Sequence, residues 1–167
     1  DRLVDGLRRM EYRGYDSAGV CTVMDGQLIR RRAEGKLGNL VRELASNPAP
    51  GDIGIAHTRW ATHGAPTTSN AHPHATGEVA LVHNGIIENF KPLREALTAR
   101  GRRFESETDT EVVAHLVSEQ VEAGASPIDA VKAVLPQLRG AFALAIAFRS
   151  HPDMLIGARL GSPLVVG

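Results

Sequence analysis

Residues 57–64 read His-Thr-Arg-Trp-Ala-Thr-His-Gly and include the only tryptophan of the chain. A second polar segment, His-Asn-Gly at residues 83–85, follows not far downstream. Imidazoles, hydroxyls and a guanidinium are poor core material, because each polar group buried without a partner costs about 2–7 kcal/mol. Their density predicts a preformed pocket that binds a small polar ligand.

Two charged residues could hold the ends of an amino acid in such a pocket. Arg59 presents a planar fork that matches a carboxylate bidentately, and Asp109 could pair with an ammonium group. Each residue also has a simpler interpretation. Arg59 could form a surface salt bridge, and Asp109 could cap a helix within the capping-box pattern Thr-Asp-Thr-Glu at residues 108–111.

Asn84 and Gly85 could supply an oxyanion hole, through a side-chain amide N–H and a backbone N–H. Glycine permits close approach at this position because it lacks Cβ. The alternative is an ordinary turn, since Asn-Gly is a common turn pair. Trp60 is likewise either a wall of the pocket or an anchor of the core.

The histidines and the cysteine raise two further possibilities. Five of the seven histidines lie within residues 57–83, so a metal site is an alternative, although no helical histidine pair flanks a glutamate. Cys21, the only cysteine, lies in an apolar segment without a neighbouring cation. We interpret it as a packed strand residue rather than a nucleophile. We predict neither a metal nor a cofactor.

The spacing of apolar residues predicts an α+β fold with a mostly antiparallel sheet, in which strand ends present the polar segments. Asp25-Gly26 predicts a hairpin between strands at residues 18–24 and 27–32. The other predicted strands are residues 53–56, 79–82, 141–148 and 154–158, the last two flanking a turn at residues 149–153. The predicted helices are residues 3–10, 37–44, 90–100, 110–121 and one that opens at Ser126-Pro127.

Composition limits the class of protein. The 19 Lys and Arg residues balance 19 Asp and Glu residues, so no charge footprint for nucleic acid or a membrane surface is present, and the run Arg30-Arg31-Arg32 is interpreted as one solvated strand face. The longest apolar segment, residues 141–148, is far shorter than the ~18 residues of a membrane helix. We predict a cytoplasmic protein with a single domain over residues 1–167, cut from something longer at both ends.

Five motifs follow one another along the chain. They are Glu-Tyr-Arg-Gly-Tyr-Asp-Ser-Ala-Gly at residues 11–19, residues 57–64, Asn-Ala-His-Pro-His at residues 70–74, His-Asn-Gly-Ile-Ile-Glu-Asn at residues 83–89, and Ser-Glu-Thr-Asp-Thr-Glu at residues 106–111. In this order they resemble the motifs of a known family, the class II glutamine amidotransferases. Among its members, the sequence Arg-Trp-Ala-Thr-His-Gly is most similar to that of the glutaminase domains of the glucosamine-6-phosphate synthases.

The resemblance implies an N-terminal nucleophile hydrolase fold, a four-layer αββα sandwich, and a role for each residue of the pocket. Arg59 would bind the α-carboxylate of glutamine and Asp109 its α-ammonium group, while Asn84 and Gly85 would form the oxyanion hole. Arg13 would lie beside the catalytic centre. The remaining residues that would line or support the pocket are Trp60, Thr62, His63 and His72.

The family's nucleophile is a cysteine at the mature amino terminus, which these residues do not include, so we expect no glutamine hydrolysis by the 167 residues alone. The resemblance further implies that ammonia passes to fructose 6-phosphate in a sugar-isomerase domain, within a homo-oligomeric parent enzyme. Three alternatives stay open. They are a non-catalytic amino-acid-binding module, the glutaminase domain of another class II amidotransferase, and a histidine-rich metallohydrolase.

Overall fold

The computed structural model describes residues 2–166, without the side chain of Arg13. Helices α1 (Arg2–Arg8) and α2 (Leu37–Ser46) flank strands β1 (Ser17–Met24) and β2 (Gln27–Glu34), and a 3-10 turn covers Glu11–Arg13. The later strands are β3 (Ile53–Arg59), β4 (His74–Ala75), β5 (Val79–Gly85), β6 (Phe142–Phe148) and β7 (His151–Leu160). The later helices are α3 (Phe90–Ala99), α4 (Glu111–Glu122) and α5 (Pro127–Val134), which a 3-10 turn at Leu135–Gln137 follows.

The described strands form two antiparallel sheets, one in the order β2-β1-β3 and the other in the order β4-β5-β6-β7. Helices α1 and α2 cover the outer face of the first sheet, where Leu7 and Leu40 pack on Val20. Helices α3, α4 and α5 cover the outer face of the second sheet, where Leu144 and Ile146 are fully buried.

The inner faces of the two sheets meet through small and medium side chains: Cys21, Val23 and Ile55 from one sheet, and Ala80 and Ala147 from the other. The sequence of layers is therefore helix, sheet, sheet, helix. This arrangement confirms the predicted αββα sandwich.

The hairpin at Asp25-Gly26 is confirmed, with Met24 paired to Gln27 and positive φ angles of 50° and 68° at the two turn residues. Positive φ at both central positions matches the twist of the flanking strands, which explains why this dipeptide predicts the turn so well. The cap at Ser126 is also confirmed, because its side chain accepts the backbone N–H of Asp129 at 3.2 Å.

Three sequence predictions are wrong in detail. The turn before β7 is residues 149–150 only, since β7 begins at His151. Residues 57–59 form the end of β3 and residues 83–85 the end of β5, so strand geometry fixes them, whereas residues 60–64 follow β3 in a loop. The three consecutive arginines of β2 are half-buried rather than one solvated face, because successive side chains point to opposite faces.

The predicted capping box is the fourth correction. Thr110 occupies the N-cap of α4 without a side-chain cap bond, and Glu111 instead reaches back to the backbone N–H groups of Glu105 and Ser106, each at 2.8 Å. Burial opposes ionisation of Glu111, but the His115 ring 3.6 Å away and the hydrogen bonds from Ser106 and Glu105 outweigh burial and lower its pKa to about 2. Glu111 therefore ties the segment before α4 to the helix.

None of the described helices is long and apolar enough to cross a lipid bilayer.

Candidate functional site

A cavity of about 290 Å³ opens between the ends of the two sheets. This volume lies near the lower limit of small-molecule sites, which span about 300–1,000 Å³, and suits a ligand the size of one amino acid. The structure brings together in its wall the predicted residues Arg59, Trp60, Thr62, His63, His72, Asn84, Gly85 and Asp109. The side chain of the remaining predicted residue, Arg13, lies outside the described residues, although its neighbour Gly14 lines the cavity.

Strand alternation explains why these residues meet. On β3, His57 and Arg59 share a face with Ile55, which packs between the sheets. On β5, Asn84 shares a face with Ala80 and so points toward β3. The apolar part of the interface thus ends in a polar rim at the same end of both strands, and this rim is the wall of the cavity.

Arg59 is buried, with only 3% of its surface exposed. Its guanidinium donates to the backbone carbonyls of His63, of Gly64 at 3.2 Å and of Ala65 at 3.3 Å. The carboxylate of Asp16 lies 3.6 Å away. Burial lowers the pKa of Arg59, and Asp16 and Asp109 oppose that effect. Arg59 therefore organises the loop after β3 and is no surface salt bridge.

Asp109 is 4% exposed and lines the same cavity. Its Oδ2 atom accepts the backbone N–H of Ile87 at 2.7 Å, and its Oδ1 atom lies 3.5 Å from the hydroxyl of Thr110. A carboxylate can accept about four hydrogen bonds, so acceptor capacity remains for a ligand cation. The helix-capping interpretation of Asp109 is wrong, because the N-cap of α4 is Thr110 and Asp109 accepts an N–H from outside the helix.

Asn84 and Gly85 end β5 at the mouth of the cavity, and both are exposed. The turn interpretation is wrong, because Asn84 pairs with Ala143 in the sheet and Gly85 pairs with Phe142. The N–H of Ile86 donates to Ala141 at 2.9 Å, so the alternation of an antiparallel ladder turns the N–H of Gly85 away from β6.

Glycine at position 85 is required by two features of the backbone. Its φ angle is +128°, a conformation that side chains disfavour, and a Cβ atom there would lie 2.1 Å from the carbonyl oxygen of Ala141. The sequence predicts that another group approaches Gly85 closely, and in the structure the backbone of Ala141, just before β6, does so.

The family of the chain follows from comparison with known proteins. The profile of the family described as "Glutamine amidotransferase domain" matches residues 57–162, which include the end of β3 and all of β5 and α4. The chain belongs to this family. The match contains every cavity residue discussed above except Gly14.

Curated relatives are similar to this glutamine amidotransferase domain over its whole length. A protein of Zymomonas mobilis named glutamine–fructose-6-phosphate aminotransferase [isomerizing] is 72% identical over 100% of the chain, and one of the same name from Brucella abortus is 63% identical over 99%. The chain spans only 28% and 27% of the length of these two relatives.

Solved structures resemble the amidotransferase domain at lower identity. The glutamine phosphoribosylpyrophosphate amidotransferase of B. subtilis, complexed with ADP and GMP, aligns with a TM-score of 0.72 and 29% identity. That alignment covers 87% of this chain and 32% of the other. A structure titled as the allosteric regulatory enzyme of purine biosynthesis aligns with a TM-score of 0.74 and 28% identity, over 88% of this chain and 32% of the other.

Seven of the described residues that line the cavity were not predicted from the sequence as site residues, and two of them, His57 and Thr110, contact predicted site residues through hydrogen bonds. His57 lies 8% exposed and its Nε2 atom is 2.8 Å from Oδ1 of Asn84. Thr110 is bonded to two imidazoles, His72 at 3.1 Å and His83 at 2.9 Å. The alternation of β3 could have found His57, because it is two residues before Arg59 and shares its face; nothing in the sequence marks Thr110.

Burial keeps three imidazoles of the site neutral, those of His57, His72 and His83. It lowers the pKa of His57 to about 4, and it lowers the pKa values of His72 and His83 as well. The ring of His72 stacks on that of His57 at a centroid distance of 4.4 Å. These histidines therefore act as hydrogen-bonding scaffolds of the cavity near neutral pH.

The loop after β3 is held to the segment before α4. Glu107 accepts the side-chain amide of Asn70 at 3.0 Å and the backbone N–H of Ala65 at 3.3 Å. Trp60, at the start of the loop, is 70% exposed and lies over Gly14 at the mouth of the cavity. Trp60 is thus a wall of the pocket and not an anchor of the core.

The described residues contain no ligand set for the metal site that the sequence left as an alternative. Within residues 2–166, no group of three or more His, Cys, Asp or Glu side chains is arranged to hold a metal ion. Cys21 is fully buried in β1, as predicted, and burial raises the pKa of its thiol to about 12. A thiol in that environment is a packing group and a poor nucleophile.

Proposed function

We propose that this domain binds glutamine in the cavity between the sheets and releases its amide nitrogen as ammonia. One observation supports the proposal above others. A buried guanidinium, a buried carboxylate with spare acceptor capacity and a side-chain amide whose N–H groups donate to no described residue converge on one cavity of about 290 Å³. Those are the groups needed for a carboxylate, an ammonium and a developing oxyanion.

Arg59 and Asp109 would hold the two charged ends of the substrate. The described acceptors within hydrogen-bond distance of Arg59 are neutral carbonyls, so a substrate carboxylate would supply a charged acceptor at its fork. Asp109 would accept the α-ammonium group through oxygen lone pairs that Ile87 does not use. A ligand without the α-ammonium group would leave the buried Asp109 carboxylate without a counter-charge from the ligand, whereas Arg59 keeps its ion pair with Asp16 at 3.6 Å.

The amide end would react at Asn84 and Gly85. A thiolate attacks the amide carbon, the carbonyl π electrons move onto oxygen, and the N–H groups of Asn84 and Gly85 stabilise that negative charge. Collapse of the tetrahedral intermediate breaks the C–N bond, and the leaving nitrogen takes a proton and departs as ammonia. Water then cleaves the thioester to give glutamate and the free thiol.

The thiol in this scheme is the amino-terminal cysteine that the family resemblance implies, which the 167 residues do not include. Cys21 is no substitute, because it lies in the apolar interface between the sheets rather than in the wall of the cavity. We therefore propose that residues 2–166 form a single glutaminase domain that supplies binding groups and the oxyanion hole to a nucleophile outside these residues.

For the whole protein we propose the reaction that the names of its relatives state, with ammonia passed to fructose 6-phosphate to give glucosamine 6-phosphate. Sequence identity of 72% to such a relative supports this acceptor over phosphoribosyl pyrophosphate, whose amidotransferase is 29% identical. The acceptor site would lie in a sugar-isomerase domain, and the parent enzyme would be a cytoplasmic homo-oligomer.

The test uses the polypeptide translated from its own gene, whose intact mass is measured first. Purified protein is given glutamine with either fructose 6-phosphate or phosphoribosyl pyrophosphate, and glutamate and amino sugar are quantified. Formation of glucosamine 6-phosphate together with glutamate supports the proposal, and Cys21→Ala should leave both rates unchanged. Tight glutamine binding with no glutamate formed would instead favour a non-catalytic amino-acid-binding module.

A further inference from the structure

A single hydrogen bond joins the two sheets at the edge of the cavity. Nε2 of His57, on the inner face of β3, lies 2.8 Å from Oδ1 of Asn84, on the inner face of β5. The two residues are 27 positions apart in the chain. The bond therefore depends on the packing of one sheet against the other, and it fixes the side chain proposed as an oxyanion-hole donor.

The chemistry of the two partners determines where the proton lies. The amide oxygen of Asn84 can only accept, so Nε2 of His57 must carry the hydrogen. A neutral imidazole has one N–H, which leaves Nδ1 of His57 unprotonated, and that atom is buried without a partner among the described residues. One tautomer of His57 is thus selected by its contact with Asn84.

This tautomer of His57 and the orientation of the Asn84 amide imply each other. With Oδ1 turned to His57, the Nδ2 group lies in the same amide plane on the other side of Cγ and donates to no described residue. Asn84 lines the cavity and its side chain is exposed there. A flipped amide would present its oxygen to the cavity and repel a developing oxyanion, and the imidazole N–H disfavours that flip.

We propose that His57 is a positioning residue of the amidotransferase reaction, which acts by holding the Asn84 amide with its N–H groups toward the substrate oxygen. This role rests on the proposed function. His57 lines the cavity with only 8% of its surface exposed, packs on the ring of His72 and directs Nε2 to Asn84, so we expect its contribution to pass through Asn84. The clamp formed by Arg59 and Asp109 is independent of it.

The first test compares four variants of the polypeptide as translated from its gene: His57→Phe, His57→Gln, Asn84→Ala and the double variant His57→Phe with Asn84→Ala. Phenylalanine keeps the ring that stacks on His72 but removes the donor, whereas glutamine can place an amide N–H near the position of Nε2. The measured quantities are kcat for glutamine hydrolysis and the inhibition constant of glutamate, which reports the clamp.

Loss of an oxyanion-hole donor lowers kcat by about 100- to 1,000-fold, so Asn84→Ala should fall in that range. We expect His57→Phe to lower kcat about 10- to 100-fold with the glutamate constant within about twofold, and His57→Gln to recover most of the loss. The double variant should be no slower than Asn84→Ala, because the two residues act as one unit.

The positioning role would be overturned if the fold-loss of kcat in the double variant equals the product of the two single losses. A His57→Gln variant as slow as His57→Phe would also overturn it. If wild type hydrolyses glutamine and Asn84→Ala is slow while His57→Phe is unaffected, the positioning role alone fails. If wild type releases no glutamate at all, the proposed function itself is refuted and this role with it.

A second measurement needs no variant and so does not depend on how a variant folds. The ¹⁵N and ¹H resonances of the His57 ring report which nitrogen carries the proton. We expect the hydrogen on Nε2 between pH 6 and pH 8. A proton on Nδ1 alone would leave no donor toward Asn84, and that result would overturn the proposal.

Discussion

The carboxylate of Asp109 accepts the backbone N–H of Ile87 at 2.7 Å, across 22 residues of sequence. This contact joins the segment before α4 to the segment that follows β5. Asp109 consequently faces the cavity wall from a fixed position, although it directly precedes the N-cap residue of α4. The contact uses one lone pair and leaves the carboxylate able to receive a cation.

The first prediction concerns Asp109→Asn, which keeps shape but removes the charge. We expect the KM for glutamine to rise about 10- to 100-fold, because a buried ammonium would lose its counter-charge. Glutaramate lacks the α-ammonium group and provides the matched control. Its hydrolysis by wild type should be slow, and the substitution should slow it no further. An equal loss for both substrates would contradict the ammonium assignment.

Arg59→Lys tests the other end of the clamp. Lysine preserves the charge but not the planar fork, so the KM for glutamine should rise at least about 30-fold, which corresponds to ~2 kcal/mol of binding. Arg59→Ala should abolish measurable glutamine binding. Circular dichroism should report the native fold for both variants. The exposed Arg103 provides the control, and the Arg103→Ala variant should bind glutamine as the wild type does. Unchanged glutamine affinity in the Arg59 variants would refute the carboxylate assignment.

Gly85→Ala is expected to destabilise the fold and to reduce activity together. The added methyl group would lie 2.1 Å from the carbonyl of Ala141, which belongs to backbone and cannot rotate away. We expect a loss of about 2–4 kcal/mol in the free energy of unfolding, measured by urea denaturation. Gly77→Ala is the matched control, because no atom lies within 4 Å of the position that its added methyl group would take. Equal effects at both glycines would contradict the argument.

The buried histidines predict a loss of stability in mild acid. Burial lowers the pKa of His57 to about 4 and that of His74 to about 3. Unfolded histidine titrates near ~6.5, so below that pH the unfolded chain binds protons that the folded chain does not. The free energy of unfolding should therefore fall as pH decreases from about 6.5 to 4, by about 1.4 kcal/mol per pH unit for each histidine.

Urea denaturation from pH 8 to pH 4.5 measures that slope. His57→Gln should reduce the slope of the free energy of unfolding against pH by ~1.4 kcal/mol per pH unit, which corresponds to one bound proton. The difference between variant and wild type at pH 8 is the control, since histidines are neutral there in both states and only lost contacts contribute. A slope that does not change with this substitution would show that His57 is protonated in the folded protein.

Much of the architecture could be predicted from local patterns, because those patterns are themselves local. Asp25-Gly26 determines a turn within four residues, and Ser126 caps α5 through a neighbour three residues on. The sequence predicts that β3 and β5 end three residues earlier than they do, because polar residues at the rim of a sheet are hard to tell from loop residues. Only the packing of the second sheet reveals that they remain in the strand.

The residues of the cavity wall were predictable in part from residue types and in part from the family resemblance, but the contacts among them were not. Arg59 and Asp109 stand out as a cation and an anion within polar segments. The partners that hold them, Asp16 and Ile87, lie in segments that nothing in the sequence links to them. Thr110 is similar, since a threonine at a helix start suggests a cap and not a bridge between two imidazoles.

The position of the cavity between the two sheets has a consequence for partly folded forms of the chain. Arg59 belongs to one sheet and Asn84 to the other, so neither sheet alone contains both the proposed clamp and the proposed oxyanion hole. A nascent or partly melted chain that has formed only one sheet would therefore lack part of the proposed glutamine site. That site is complete only when the two sheets dock, and a ligand bound between them would in turn oppose their separation.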